Sequence, residues 1–112
     1  MPNHIQLNQV FHALSDPTRM AVIAMLSEGS ASVSELARPH KMALPSFTQH
    51  LDVLQESGLV GSRKVGRVRT YELKPEALQE VSKWLEIRRK DWEARLNRLD
   101  HYLHTLKETP HD

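Results

Sequence analysis

The sequence predicts a mainly α fold with one small β-hairpin, associating with a second copy through its longest helix. Three observations carry this. Apolar residues recur at steps of three and four over most of the chain, the period of an amphipathic helix. Strand-favouring residues gather only in residues 59–73, around Gly66. Residues 76–107 contain neither Gly nor Pro and carry an apolar stripe too long for a small domain to cover.

The chain has 112 residues, which suits one domain. It has no cysteine, so disulfides, thiolate metal sites and thiol redox switches are excluded. No apolar run is long enough to span a membrane. Met1-Pro2-Asn3-His4 offers no basic segment followed by an apolar one. The expected location is the cytoplasm, with no membrane partner.

The elements follow from spacing and punctuation. Residues 5–14 place Leu7, Val10, Phe11 and Leu14 on one helical face. Asp16 then suits an N-cap, and Pro17 the first helical position, where its missing N–H costs nothing. The second helix runs to Gly29. It is apolar around much of its circumference, which predicts a central place in the core. Ser32 or Ser34 caps a short third helix, residues 33–38, which Pro39 closes. A turn through His40, Lys41 and Met42 leads to a fourth helix, residues 44–56. Its buried stripe is Phe47, Leu51 and Leu54, and Gly58 suits the left-handed position beyond its end. The hairpin then folds about Gly66, and Pro75 ends its second strand. In the last helix, residues 78, 81, 85, 92, 96, 99, 103 and 106 are apolar, with a gap where Arg88 and Arg89 stand. Two readings remain open there: one continuous pairing helix, or two helices broken near residues 88–91.

Charge is unevenly placed. Residues 1–61 hold three basic and five acidic side chains, a net −2. Residues 62–74 hold Arg63, Lys64, Arg67, Arg69 and Lys74 against Glu72 alone, a net +4. Residues 75–112 hold seven basic and eight acidic, a net −1. Such a run is either a solvated hairpin or the contact point for a polyanion.

What precedes the hairpin favours the second reading. A short helix, a turn and a longer helix form a helix-turn-helix (residues 33–56), and the hairpin (59–73) follows it as a wing. An α-helix fits the major groove of DNA with its N-terminal side chains at the base edges. On the fourth helix Ser46, Thr48 and Gln49 lie off the apolar stripe. Gln makes a bidentate contact to adenine; Ser and Thr hydroxyls reach bases or phosphates. His50 borders the apolar face, where contact with phosphate and packing are both open. Arg67 at the hairpin tip, with Arg63, Lys64 and Arg69 along the strands, supplies sequence-independent attraction.

Taken together, these residues resemble the ArsR family of winged-helix regulators over nearly the whole chain. The resemblance is carried by Ala13-Leu14-Ser15-Asp16-Pro17-Thr18-Arg19 and Val33-Ser34-Glu35-Leu36-Ala37. It continues through residues 44–60, from Leu44-Pro45-Ser46-Phe47-Thr48-Gln49-His50-Leu51 to Ser57-Gly58-Leu59-Val60, and through Gly66-Arg67-Val68-Arg69-Thr70-Tyr71-Glu72-Leu73. It implies a homodimer built from the first and last helices, with Leu7, Val10, Phe11, Leu85, Trp92, Leu96, Leu99 and Leu103 in the interface. It also implies binding to an inverted-repeat operator and repression of nearby genes. Ser46, Thr48 and Gln49 match the family's base-reading positions, and Arg67 matches its wing tip.

The chain departs from the family at two places. Ala43 stands where a Ser or Thr cap is common. Leu36, Ala37 and Arg38 stand where the metal-sensing members carry a Cys-x-Cys pair.

Seven histidines raise the question of another metal site. His101 and His104 share a helix face with Asp100 adjacent, but a zinc site needs three or four ligands. The positions that would complete the family's last-helix site are Arg88 and Lys90, both cationic. His4, His12, His40 and His111 form no motif. No metal and no cofactor are expected. Trp84, Trp92 and Tyr102 either bury interface area, the commoner role, or line a pocket for an unidentified small-molecule effector. No glycine-rich phosphate loop or nucleophile–base arrangement suggests an enzyme. The remaining alternative is a winged-helix module that pairs with proteins and never reads DNA.

Overall fold

A computed structural model describes residues 5–108. In chain order the elements are α1 (Leu7–Leu14), α2 (Pro17–Leu26), β1 (Ala31–Ser32), α3 (Val33–Ala37), α4 (Leu44–Glu56), β2 (Val60–Val65), β3 (Val68–Leu73) and α5 (Pro75–Glu108). The chain divides into two units, residues 1–81 and residues 82–112.

The first unit is built around Val10, Ala13, Val22, Leu26, Leu36, Phe47, Leu51, Leu54, Leu59, Val60, Tyr71, Ala77 and Val81. Every helix of this unit contributes, which is why the turns between them are tightly specified. Asp16 caps α2 as expected: its carboxylate accepts from the Arg19 backbone N–H at 3.0 Å, and Pro17 follows in the first turn. That N–H holds the Asp16 carboxyl below the usual range. Ser32, rather than Ser34, caps α3. Its hydroxyl accepts from the Glu35 N–H at 3.2 Å, and the Glu35 carboxylate accepts from the Ser32 N–H at 3.0 Å. This reciprocal capping box satisfies two orphan donors of a five-residue helix that has little intrinsic stability.

Four expectations are adjusted. Only one face of α2 is enclosed: Val22 and Leu26 are buried, while Met20 is 58% exposed. Arg38 is the C-cap of α3 rather than its last residue. β1 has no counterpart in the sequence reading; it pairs antiparallel with β3 through Ala31↔Tyr71 and Ser32↔Thr70. The wing is therefore the outer part of a three-stranded sheet, ordered β1-β3-β2. The second strand of the hairpin ends at Leu73, ahead of Pro75 as expected, but α5 begins at Pro75 itself rather than at residue 76.

On α4, Phe47, Leu51 and Leu54 are wholly buried. Each stabilises the unit by about 1.5–3 kcal/mol of transfer free energy. Ala43 makes no side-chain cap, and the first turn relies on Pro45. The helix stops at Ser57-Gly58, where Gly58 has φ +88° and a Cβ would stand 3.0 Å from Ile5 Cδ1. β2 and β3 then pair from Val60↔Leu73 to Val65↔Val68, closed by Gly66 at φ +64°.

The described part of the second unit, residues 82–108, is helical throughout and has no buried residue. α5 runs unbroken through residues 88–91, which resolves the alternative left open by the sequence in favour of one helix. Across that stretch Arg89 pairs with Glu86 at 2.6 Å and with Glu93, and Arg88 pairs with Asp91 at 3.9 Å. Arg88 also lies 4.9 Å above the Trp84 ring. These pairs at three- and four-residue steps suit a helix and do not require it to break. Among the described residues no helix is long and apolar enough to cross a membrane.

Candidate nucleic-acid interface

The interface is assembled from the first half of α4 and the β2–β3 hairpin. Burial of Phe47, Leu51 and Leu54 turns the opposite face of α4 outward. Ser46 and Gln49, one turn apart, are exposed there. Neither makes a hydrogen bond among the described residues, so their polar atoms are available to a partner. Thr48 is half-buried and its hydroxyl donates to the Pro45 carbonyl at 3.0 Å, leaving its oxygen as an acceptor. His40, in the turn before α4, stacks on Phe47 with ring centroids 5.3 Å apart. The recognition face is thus braced from behind.

His50 is turned elsewhere. Its Nδ1 lies 2.8 Å from an Arg19 guanidinium nitrogen and 3.7 Å from the Asp16 carboxylate. Of the two roles the sequence left open, this nitrogen serves packing and hydrogen bonding within the chain.

On the hairpin Arg63, Lys64, Arg67 and Arg69 are all exposed. Strand alternation sorts them. Lys64 and Arg69 are direct cross-strand partners on the face that also carries Val60 and Tyr71, while Arg63 pairs with Thr70 on the other face. Like charges opposite one another cost stability in a sheet, and a bound polyanion would relieve that cost. Arg69 is partly committed: it donates to the Ser62 hydroxyl at 3.0 Å, and Ser62 donates to Gln55 Oε1 at 3.0 Å. This chain ties the hairpin to the last turn of α4. Sequence reasoning placed Arg69 among the open cations and missed Ser62 and Gln55, because nothing in their spacing announces the link. Among the described residues Arg63, Lys64 and Arg67 form no ion pair. Burial, reinforced by the charge of Asp52, pushes the Tyr71 phenol up, so it stays neutral beneath this face.

A different chemistry lies at the base of the hairpin. An open cleft of about 500 Å³ is lined by Gln55, Glu56, Ser62, Glu72, Lys74 and Glu76, among others. Its carboxylates outnumber its one cation, so it repels phosphate. Among the described residues no three His, Asp or Glu side chains gather as a metal site. His4 and His111 lie outside the described residues.

Of the residues assigned to pairing, Leu85, Trp92, Leu96, Leu99 and Leu103 are 44–58% exposed on α5. Phe11 is 37% exposed and Leu7 half-buried on α1. Val10 is corrected: it is 0% exposed in a single chain and belongs to that chain's core, so it has no surface to offer a second copy.

A helix-turn-helix with an exposed polar recognition helix, followed by a basic hairpin, defines a winged helix-turn-helix DNA-binding protein. Comparison with known proteins agrees. Residues 14–63 match the family described as a helix-turn-helix domain. The chain is 29% identical over 79 residues to the transcriptional repressor SdpR of Bacillus subtilis (strain 168), spanning 70% of this chain and 88% of that protein. It matches the crystal structure of an ArsR family transcriptional regulator at 49% identity and TM-score 0.75, covering 78% of this chain and 96% of that one. An ArsR-like transcriptional regulator from Rhodococcus sp. RHA1 matches at 34% identity and TM-score 0.72, covering 86% and 91%. The chain belongs to the ArsR family. It is a DNA-binding transcriptional repressor of that family and not an enzyme, and it has no cysteine with which to sense a metal.

Proposed function

We propose that the chain acts as a homodimer in the cytoplasm, binding an inverted-repeat operator and repressing its own or neighbouring genes. The observation that carries this is the meeting of two features: Ser46 and Gln49 open on α4, and a hairpin of cations without acidic partners beside it. In this reading the whole chain works as one domain. Two α4 helices enter successive major grooves about 34 Å apart. Gln49, Ser46 and the Thr48 oxygen read base edges, and Arg67 with Arg63 and Lys64 holds phosphate.

The dimer is built on α5. Leu85, Trp92, Leu99 and Leu106 recur every seven residues, and Leu96 and Leu103 widen the stripe. These side chains are about half exposed in the single chain. Covering what remains of each is worth roughly half the full transfer free energy, about 1 kcal/mol, and the stripe in sum favours association. Phe11 and Leu7 of α1 add to it. The aromatic residues Trp84, Trp92 and Tyr102 serve as interface area, and no effector is required by this scheme.

The test is binding of the purified protein to a duplex from upstream of its own gene, at several salt concentrations, beside a scrambled duplex. Tight, selective binding by a dimer supports the reading. Equal binding to both duplexes at every salt, with no other sequence enriched from a random pool, refutes it.

A further inference from the structure

The recognition helix is not held only by its apolar face. Arg19, on the first turn of α2, spans three elements at once. Its Nε donates to the Ala13 carbonyl at 2.7 Å, and its Nη2 to the His12 carbonyl at 3.3 Å, both at the C-terminal end of α1. Its Nη1 lies 2.8 Å from His50 Nδ1 on α4. The backbone N–H of the same residue is bound by the Asp16 cap. A guanidinium has only donors, so His50 Nδ1 is the acceptor in this contact and the ring proton sits on Nε2.

We propose that Arg19 is a positioning residue for DNA recognition, acting through His50. Two carbonyls of a helix end fix the guanidinium plane, and Arg presents its donors as a rigid fork. The third donor therefore meets His50 at a defined point, which sets the rotation of α4 about its own axis. His50 directly follows Gln49 and lies four residues, one helical turn, after Ser46. A helix free to rotate would present Ser46 and Gln49 to base edges over a spread of angles, and bidentate contacts tolerate little of that. Arg19 also joins α1 to α4, so it links an element of the proposed dimer to the one that reads DNA. His50 is then a part of the frame rather than a phosphate ligand.

This inference rests on the DNA-binding reading, and its test separates the two. A duplex selected by the wild-type protein from random-sequence DNA serves as probe, with a scrambled duplex as reference. His50→Leu removes the acceptor. His50→Asn restores one, because the Asn carbonyl oxygen occupies nearly the place of Nδ1. Arg19→Lys keeps the charge and loses the fork. Each variant is first checked by thermal unfolding. The expected result is a roughly tenfold loss of preference for the selected duplex in His50→Leu and Arg19→Lys, and a loss under about twofold in His50→Asn. Binding to the scrambled duplex stays unchanged. Full preference in both His50→Leu and Arg19→Lys overturns the proposal, as does equal loss in His50→Asn. Nitrogen-15 spectroscopy of the His50 ring gives a second readout that needs no DNA. The clasp demands the proton on Nε2 and a shifted Nδ1 signal in Arg19→Lys. The opposite tautomer, or an unmoved signal, overturns the clasp. Failure of the wild type to select any duplex refutes the DNA reading instead.

Discussion

Replacing Arg67 by alanine isolates the sequence-independent part of DNA binding. Arg67 stands beside Gly66 in the turn between β2 and β3 and is exposed. Among the described residues its side chain makes no ion pair or hydrogen bond. Its loss should move stability by no more than about 0.5 kcal/mol. Any change in DNA affinity then reports on DNA contact alone. If each wing tip neutralises one phosphate, a dimer loses two such contacts. Each contributes about 0.9 to the slope of log affinity against log salt, so the slope becomes shallower by about 1.8. Between about 50 and about 200 mM salt the gap between wild type and variant narrows by about twelvefold. Fluorescence anisotropy with a labelled duplex at four or five salt concentrations measures both slopes. Operator and scrambled duplex should lose affinity alike. An unchanged slope, or a loss confined to the operator, would refute the assignment of Arg67 to phosphate.

Other residues give different signatures. Gln49→Ala should cost about 1–3 kcal/mol at one base position in each half-site and relax specificity there, with the salt slope kept; affinities for single-base operator variants measure this. Leu99→Asp, on the exposed stripe of α5, should shift sedimentation toward monomer while far-ultraviolet circular dichroism keeps its helical signal, and an unchanged dimer would exclude this part of α5 from the interface. Ala43→Ser supplies the missing α4 cap and should stabilise the fold by about 1 kcal/mol in denaturant unfolding. The fourth concerns acid. The Arg19 backbone N–H holds the Asp16 carboxyl in the folded chain below its ordinary value. The folded state then holds the proton less tightly than the unfolded one. That stability is fully present above the unfolded value and is lost as pH falls through the lowered folded value. Asp16→Asn should therefore flatten the stability profile below about pH 4; an unaltered acid limb would contradict the cap's electrostatic role.

Much of this was legible in the sequence because short-range periodicity governs it. The stripe of Phe47, Leu51 and Leu54 fixed which face of α4 is turned outward, and so placed Ser46 and Gln49. Asp16-Pro17 marked the start of α2, and Gly66 the hairpin turn. What stayed hidden depends on residues far apart in sequence. β1 is two residues long and has no period of its own; it exists because Ala31 and Ser32 meet Tyr71 and Thr70 on β3. Val10 shares the apolar face of α1 with Leu7 and Phe11. Periodicity alone does not tell which of the three the chain's own core will cover. Arg69 looked like its neighbours until the register brought it to Ser62. The contact between Arg19 and His50 joins residues separated by 31 positions, beyond the reach of any spacing rule. On α5 the gap at Arg88 and Arg89 obscured a continuous helix, because an interruption in apolar spacing does not by itself break a helix, and the charged residues there pair at three- and four-residue steps that a helix accommodates.

In the proposed complex α4 and the wing of two copies read DNA as a symmetric pair. Selection from random-sequence duplex by the purified wild-type protein, followed by sequencing of the bound pool, tests it most directly. A symmetric dimer should enrich an inverted repeat whose half-sites are centred about one helical turn apart. A pool with no enriched sequence, or an enriched single site without symmetry, would contradict it.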